Sequence, residues 1–225
     1  MVHTFRLSAA LLGLLAATAC STPSLVADFA KNDIFYVDVP FQTQAPGDRS
    51  VFVAPLADAR TAVVLPTHER GFPIAYSGDD FWERPVAQMV GEVLVRQLVT
   101  SGLFAQVVDR ASPEGLVVKP SLVSFVGGAT EAISGSRSFA EVGLRLQVLG
   151  PAGVDGKRAV VHEQTYGSRQ VSPLEINPVS PYRLVGRSLH LTMAKVLSGL
   201  DGSNIARSNV PVDVALPAEA STPSR

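Results

Sequence analysis

Apolar positions recur at steps of three and four in two stretches of this chain, and at steps of two in several others. Val86, Met89, Val90, Val93, Leu94, Gln97 and Leu98 form one stripe of an amphipathic helix. Glu92 and Arg96 stand at an i,i+4 spacing away from that stripe. Asp79 or Asp80 offers a cap for the helix, Pro85 suits its first turn, and Ser101-Gly102 ends it. A second stripe runs through Leu184, Val185, Leu189, Thr192, Met193, Val196, Leu197 and Leu200, and predicts a helix over 182–200. Residues 50–56 read as a strand ended by Pro55, and 103–108 lead into another. Residues 115–126 have strand composition, but Pro120 gives no ladder amide and predicts an edge or a bulge. Residues 127–137 read as a small-residue loop. Residues 138–149 alternate as a half-buried strand, and a Gly-rich turn at 150–156 joins them to a strand over 158–170 as an antiparallel hairpin. Residues 33–39 have the composition of a short strand. The order is strand, helix, strand, three strands, helix. The economical architecture is a two-layer α+β domain, a mainly antiparallel sheet of about four to five strands with both helices on one face.

The first residues follow another logic. Arg6 and the amino terminus precede an apolar run over 7–18, too short for a permanent span, which needs about 20 residues. Small residues Ala17, Thr18 and Ala19 then lead into Cys20, as at a signal-peptide cleavage site. Ala17-Thr18-Ala19-Cys20 resembles the lipobox of bacterial lipoproteins. That resemblance implies cleavage before Cys20 and acylation of its thiol. It also implies a membrane anchor facing the periplasm, with Ser21 favouring the outer membrane and the inner membrane as the alternative. An ordinary signal peptide with a chance cysteine is the other reading. The expected organisation is signal peptide 1–19, lipidated cysteine and tether 20–48, one domain 49–201, and a disordered tail 202–225.

Cys20 is the only cysteine, so the mature domain can form no disulfide and no cysteine metal site. A net charge of -1 gives no footprint for nucleic acid. His68, His162 and His190 have no second ligand at metal spacing, so no metal and no cofactor are expected. There is no Gly-x-Ser-x-Gly elbow and no phosphate loop, and the expectation is a non-enzyme. A hydrolase assembled from distant residues is the catalytic alternative. Residues 67–85 gather Phe72, Tyr76, Phe81 and Trp82 in a long connection. These aromatics either pack back on the domain as a plug or form a partner-binding surface. Asp79, Asp80 and Glu83 among them suit a basic partner or a helix N-terminus.

The helix ending Leu98-Val99-Thr100-Ser101-Gly102-Leu103-Phe104, the strand Ala105-Gln106-Val107-Val108 and the earlier Val51-Phe52-Val53-Ala54-Pro55-Leu56 together resemble a known signature. It is that of the ABC-type transport auxiliary lipoproteins and of related small envelope lipoproteins. The relatives include curli- and Pel-type export subunits and lipoprotein activators of peptidoglycan synthases. The resemblance covers residues 50–200. It implies a lipid-anchored accessory protein that docks with a protein partner in an envelope transport complex for lipids or similar apolar cargo. The alternatives it implies are a homo-oligomeric ring subunit of an export apparatus, or an activator of a peptidoglycan synthase.

Overall fold

The structure is a computed structural model. It describes residues 28, 30–31, 35–60, 69–70, 82–132, 135–172 and 181–208. Cys20, the signal-like segment, His68, Asp79 and Asp80 lie outside them.

The long strands are β5 (Leu116–Ala132), β6 (Gly135–Ala152) and β7 (Arg158–Val171), paired antiparallel in that order. Strand β1 (Ser50–Val53) lies between β5 and the short β4 (Gln106–Val108), parallel to both. The spatial order is therefore β4-β1-β5-β6-β7. Further along β5, β2 (Ala57–Asp58) adds parallel and β3 (Glu69–Arg70) antiparallel. The α+β class holds, with a mixed sheet. The parallel part is a consequence of helix α1 (Val86–Ser101), since parallel neighbours need a crossover connection. Helix α2 (Pro181–Gly202) follows β7.

One face of the sheet carries the core. The rung Leu122, Leu144 and Tyr166 points inward, while Lys119, Gln147 and Glu163, three rungs along, lie on the other face, where Gln147 donates to Glu163. Both helices press their stripes onto the apolar face, and Val93, Leu94, Leu189 and Met193 join one cluster with the strand residues. Gly102 ends α1 in the left-handed conformation (φ 67°), as expected at a helix C-terminus.

Three expectations need correction. Residues 127–132 and 135–137, expected as a loop, are strand. The β5–β6 pairing continues through Gly127↔Ala140 to Ala132↔Gly135. Glycines weaken an isolated strand, but here the register with β6 supplies the ladder. Pro120 is neither at an edge nor at the bulge, which lies between Leu122 and Ser124. Ala54 N–H donates to Val118 O (2.8 Å) and Ala59 N–H to Leu122 O (2.9 Å). Alternate residues face the same edge, so the Pro120 nitrogen faces the gap at 54–56, where β1 has left β5 and β2 has not yet joined it. A missing amide costs nothing there.

The third correction concerns the domain's limits. Residues 35–48, expected within the tether, form a strap over the helix layer, and 36–40 adopt neither helix nor strand. Tyr36 is 1% exposed and belongs to the core. Val39 N–H donates to Gln97 Oε1 (2.9 Å), Thr43 N–H to Ser101 O (3.1 Å), and Gly47 N–H to Leu103 O (3.1 Å). At the other end, Ile205 and Ala206 are buried and Asp48 N–H reaches Ala206 O (3.0 Å), so the fold continues past 201.

Candidate interaction surface

The strap sits against both helices and explains two residues that a helix pattern leaves unexplained. Gln97 belongs to the buried stripe of α1 because its amide oxygen holds the strap backbone at Val39. Gly186 stands inside α2 because a Cβ there would lie 1.6 Å from Phe35 O. Only glycine permits that approach.

Ion pairs tie the strap to α1. Arg84 Nε donates to Asp28 Oδ2 (2.9 Å), and Arg84 Nη1 to Glu92 Oε1 (2.5 Å). Arg96 donates to Asp38 Oδ1 (2.9 Å) and to Ala30 O (2.8 Å). Burial alone would raise the Asp28 carboxyl. The Arg84 guanidinium, the Ala30 amide and Lys31 nevertheless hold it below its usual range. Glu92 is likewise lowered, chiefly by its hydrogen bonds from Arg84. The charges on the outer side of α1 are thus satisfied within the chain.

Between the paired charges α1 leaves two apolar side chains outward, beside polar Gln88 and Thr100. Val95 is 37% and Val99 59% exposed. Beside them lies a groove of about 680 Å³ between α1 and the 53–56 segment. Its walls include Pro55, Leu56, Pro85, Gly91, Val95 and Pro120, with Gln88, Glu92 and Arg96 also lining it. The groove exists because Ala54-Pro55-Leu56 detours away from β5. The sequence reading missed it. The available signal was Val95 and Val99, two apolar residues off the α1 stripe.

Of the aromatic residues singled out in sequence, Trp82 is described. It is 4% exposed, with its ring edge-on to Phe125 (5.5 Å) and to Tyr182 (5.0 Å). Trp82 therefore packs in the core in this structure. Phe72, Tyr76 and Phe81 lie outside the described residues. His162 Nε2 is 2.9 Å from Tyr166 Oη, and burial lowers its pKa, which favours the neutral ring. His190 Nδ1 donates to Val37 O (2.8 Å). Among the described residues no group of three His, Cys, Asp or Glu could hold a metal ion. No helix among them is long and apolar enough to cross a membrane.

No family model and no curated protein matches the chain. Solved structures do. A Xanthomonas campestris protein described under the family model DUF330 superposes with a TM-score of 0.50 at 17% identity, over 74% of this chain and 94% of that one. At that identity the likeness shows a shared fold. The hypothetical protein CT253 from Chlamydia trachomatis gives a TM-score of 0.45 at 11% identity, over 71% of this chain and 99% of that one. Lipoprotein GNA1162 from Neisseria meningitidis gives 0.28 at 14% identity, over 69% and 99%. These two superpose too loosely to inform anything further.

Proposed function

We propose that the chain is a lipid-anchored accessory protein of an envelope ABC-type transport system for lipids or similar apolar cargo, and that it acts by docking and not by catalysis. Acylated Cys20 is the anchor, and the outer membrane facing the periplasm is the proposed location. The observation that carries the docking reading is the outer side of α1. Its ionic groups are paired within the chain, while Val95, Val99 and the neighbouring groove stay uncovered by any described residue. Such a surface suits an extended apolar segment of a protein partner, since exposed apolar patches mark interaction sites.

The test is mild crosslinking of the intact protein in its native membranes, followed by mass spectrometry of what is recovered. A transporter permease or its periplasm-spanning component is expected. That recovery should fall when Val95→Asp and Val99→Asp place charges beside the groove. A ladder of the protein crosslinked only to itself would replace this reading by the ring subunit. Recovery of a peptidoglycan synthase would replace it by the activator. Release of a Cys20→Ser variant from membranes checks the anchor separately.

A further inference from the structure

The outer side of α2 differs from that of α1. Arg183, Arg187, Leu191 and Lys195 are four residues apart in turn, so they fall on one stripe, and all are exposed. Arg183 and Arg187 make no hydrogen bond or ion pair among the described residues. Lys195 only donates to a carbonyl, Gly167 O (2.5 Å). No acidic residue occurs in α2 before Asp201, which is itself engaged by Arg207 and Thr43. The nearby Asp38 is bound to Arg96. Glu141, which shares a pocket with Leu191 and Lys195, accepts from Ser124 and lies beside Arg169. Among the described residues the stripe is therefore a local excess of positive charge in a chain whose net charge is -1.

Apolar side chains stand among these cations. Val37 is 64% and Leu191 39% exposed, and with Phe35, Arg183, Arg187 and His190 they line a pocket of about 520 Å³. Cations flanking exposed aliphatic groups match the boundary between headgroups and acyl chains. A guanidinium pair suits phosphate, which it can bind through two parallel N–H bonds. The tether puts a membrane within reach. Trp82 and Phe35 both pack on Tyr182, so the N-terminal ends of α1 and α2 lie together. Asp28 is held at that same end by Arg84. Cys20 precedes Asp28 by eight residues, which span at most about 28 Å when extended.

We propose that the outer face of α2, with Val37 and Phe35 of the strap, docks on anionic phospholipid headgroups of the membrane that holds Cys20. This rests on the lipid-anchor reading. Docking would fix the orientation of the domain, turning one flank to the lipid and leaving the α1 groove to a protein partner.

The test uses the intact acylated chain in two kinds of vesicle, phosphatidylcholine alone and phosphatidylcholine with phosphatidylglycerol. Cys20 is the only cysteine, so Leu191→Cys supplies a single free thiol for an environment-sensitive fluorophore. The expected result is a blue shift on the anionic vesicles alone, reversed by raising salt, because exposed charges are screened. Arg183→Gln with Arg187→Gln should lower the docked-to-undocked ratio about 25-fold, at roughly a factor of five per arginine. A label at Lys119→Cys, on the opposite sheet face, should show no shift. An equal emission on both vesicles, or a shift that survives the arginine variants, overturns the proposal. Flotation with the vesicles is scored in the same samples. A protein that floats without the shift defeats docking alone, and one that does not float defeats the anchor. Melting curves of the double variant matching the parent exclude unfolding as the cause of a lost shift.

Discussion

Helices α1 and α2 bury the same kind of stripe against the same sheet, yet their outer sides have opposite characters. On α1 each described ionic group has a partner inside the chain. Arg84 joins Asp28 to Glu92, and Arg96 joins Asp38 to the Ala30 carbonyl, so Val95 and Val99 stand exposed with only uncharged Gln88 and Thr100 beside them. On α2 the cations Arg183 and Arg187 have no ionic partner among the described residues. The inner sides differ too. Helix α2 carries buried hydroxyls that bond the sheet, where the buried Ser101 hydroxyl of α1 bonds its own helix at Leu98 O. Ser188 Oγ accepts from Val142 N–H (3.0 Å), and Thr192 Oγ1 donates to Val142 O (3.0 Å). Ser188 also donates to Ser168 O. Amphipathic periodicity reports which side of a helix is buried. It does not report whether the other side is finished within the chain or left for something else.

The strongest test of a shared core beneath both helices is Trp82→Ala. Trp82 touches Phe125 of β5 and Tyr182 of α2 just before α1 begins. The expected cost is about 3–5 kcal/mol in denaturant unfolding. A loss below about 1 kcal/mol would mean that the ring is not a core element. Gly186→Ala comes next. The new methyl would collide with Phe35 O, and the strap must shift or leave. The expected cost is about 1–3 kcal/mol. Hydrogen exchange should quicken at Val39 and Thr43, whose amides are held by α1, and not along β6. Faster exchange on β6 as well would show that the strap and the sheet open together.

Part of this was legible in the sequence. Both helices were, because their apolar spacing runs for several turns without interruption. Strand β1 was marked by its β-branched residues and by Pro55. The continuation of β5 and β6 past 127 was not, because Gly127, Gly128 and Ala129 have low strand propensity and are held by pairing across the hairpin. The strap was not legible either. It has no period of its own, since its backbone is captured by residues far along the chain, such as Gln97 and Ser101. For the surfaces, Val95 and Val99 were visible as off-stripe apolar residues. The stripe of cations on α2 was present at i,i+4 spacing. What marks it is that Arg183 and Arg187 have no ionic partner among the described residues, which only the packed structure reveals. The cluster that attracted notice in sequence, around Trp82, belongs in part to the core.

Thr192→Val sharpens the contrast between the inner sides at smaller cost. The change is nearly isosteric but removes the hydrogen bond to Val142 O. About 1 kcal/mol should be lost in denaturant unfolding. The matching change on α1, Val93→Thr, adds a hydroxyl where the wall is apolar and should cost at least as much. If Thr192→Val were neutral, the hydroxyls of α2 would be tolerated and not needed.

The smallest effect belongs to the outer charges themselves. Glu92 and Arg84 are 44% and 22% exposed, so their pair is worth at most about 1 kcal/mol. The bonds from Arg84 hold the Glu92 carboxyl below its ordinary value, which is about 4.3. A carboxyl lowered on folding stabilises above its unfolded pKa, and that contribution is lost as pH falls through the folded value. Glu92→Gln should therefore cost a few tenths to about 1 kcal/mol at neutral pH, and the gap to the parent should close below about pH 4. Arg187→Gln on α2 has no ion pair to lose among the described residues and should leave the unfolding midpoint unchanged at either pH. Paired denaturant titrations across this range separate the two helices. If Arg187→Gln were as costly as Glu92→Gln, the cation would have a partner within the fold, and the outer side of α2 would be as finished as that of α1.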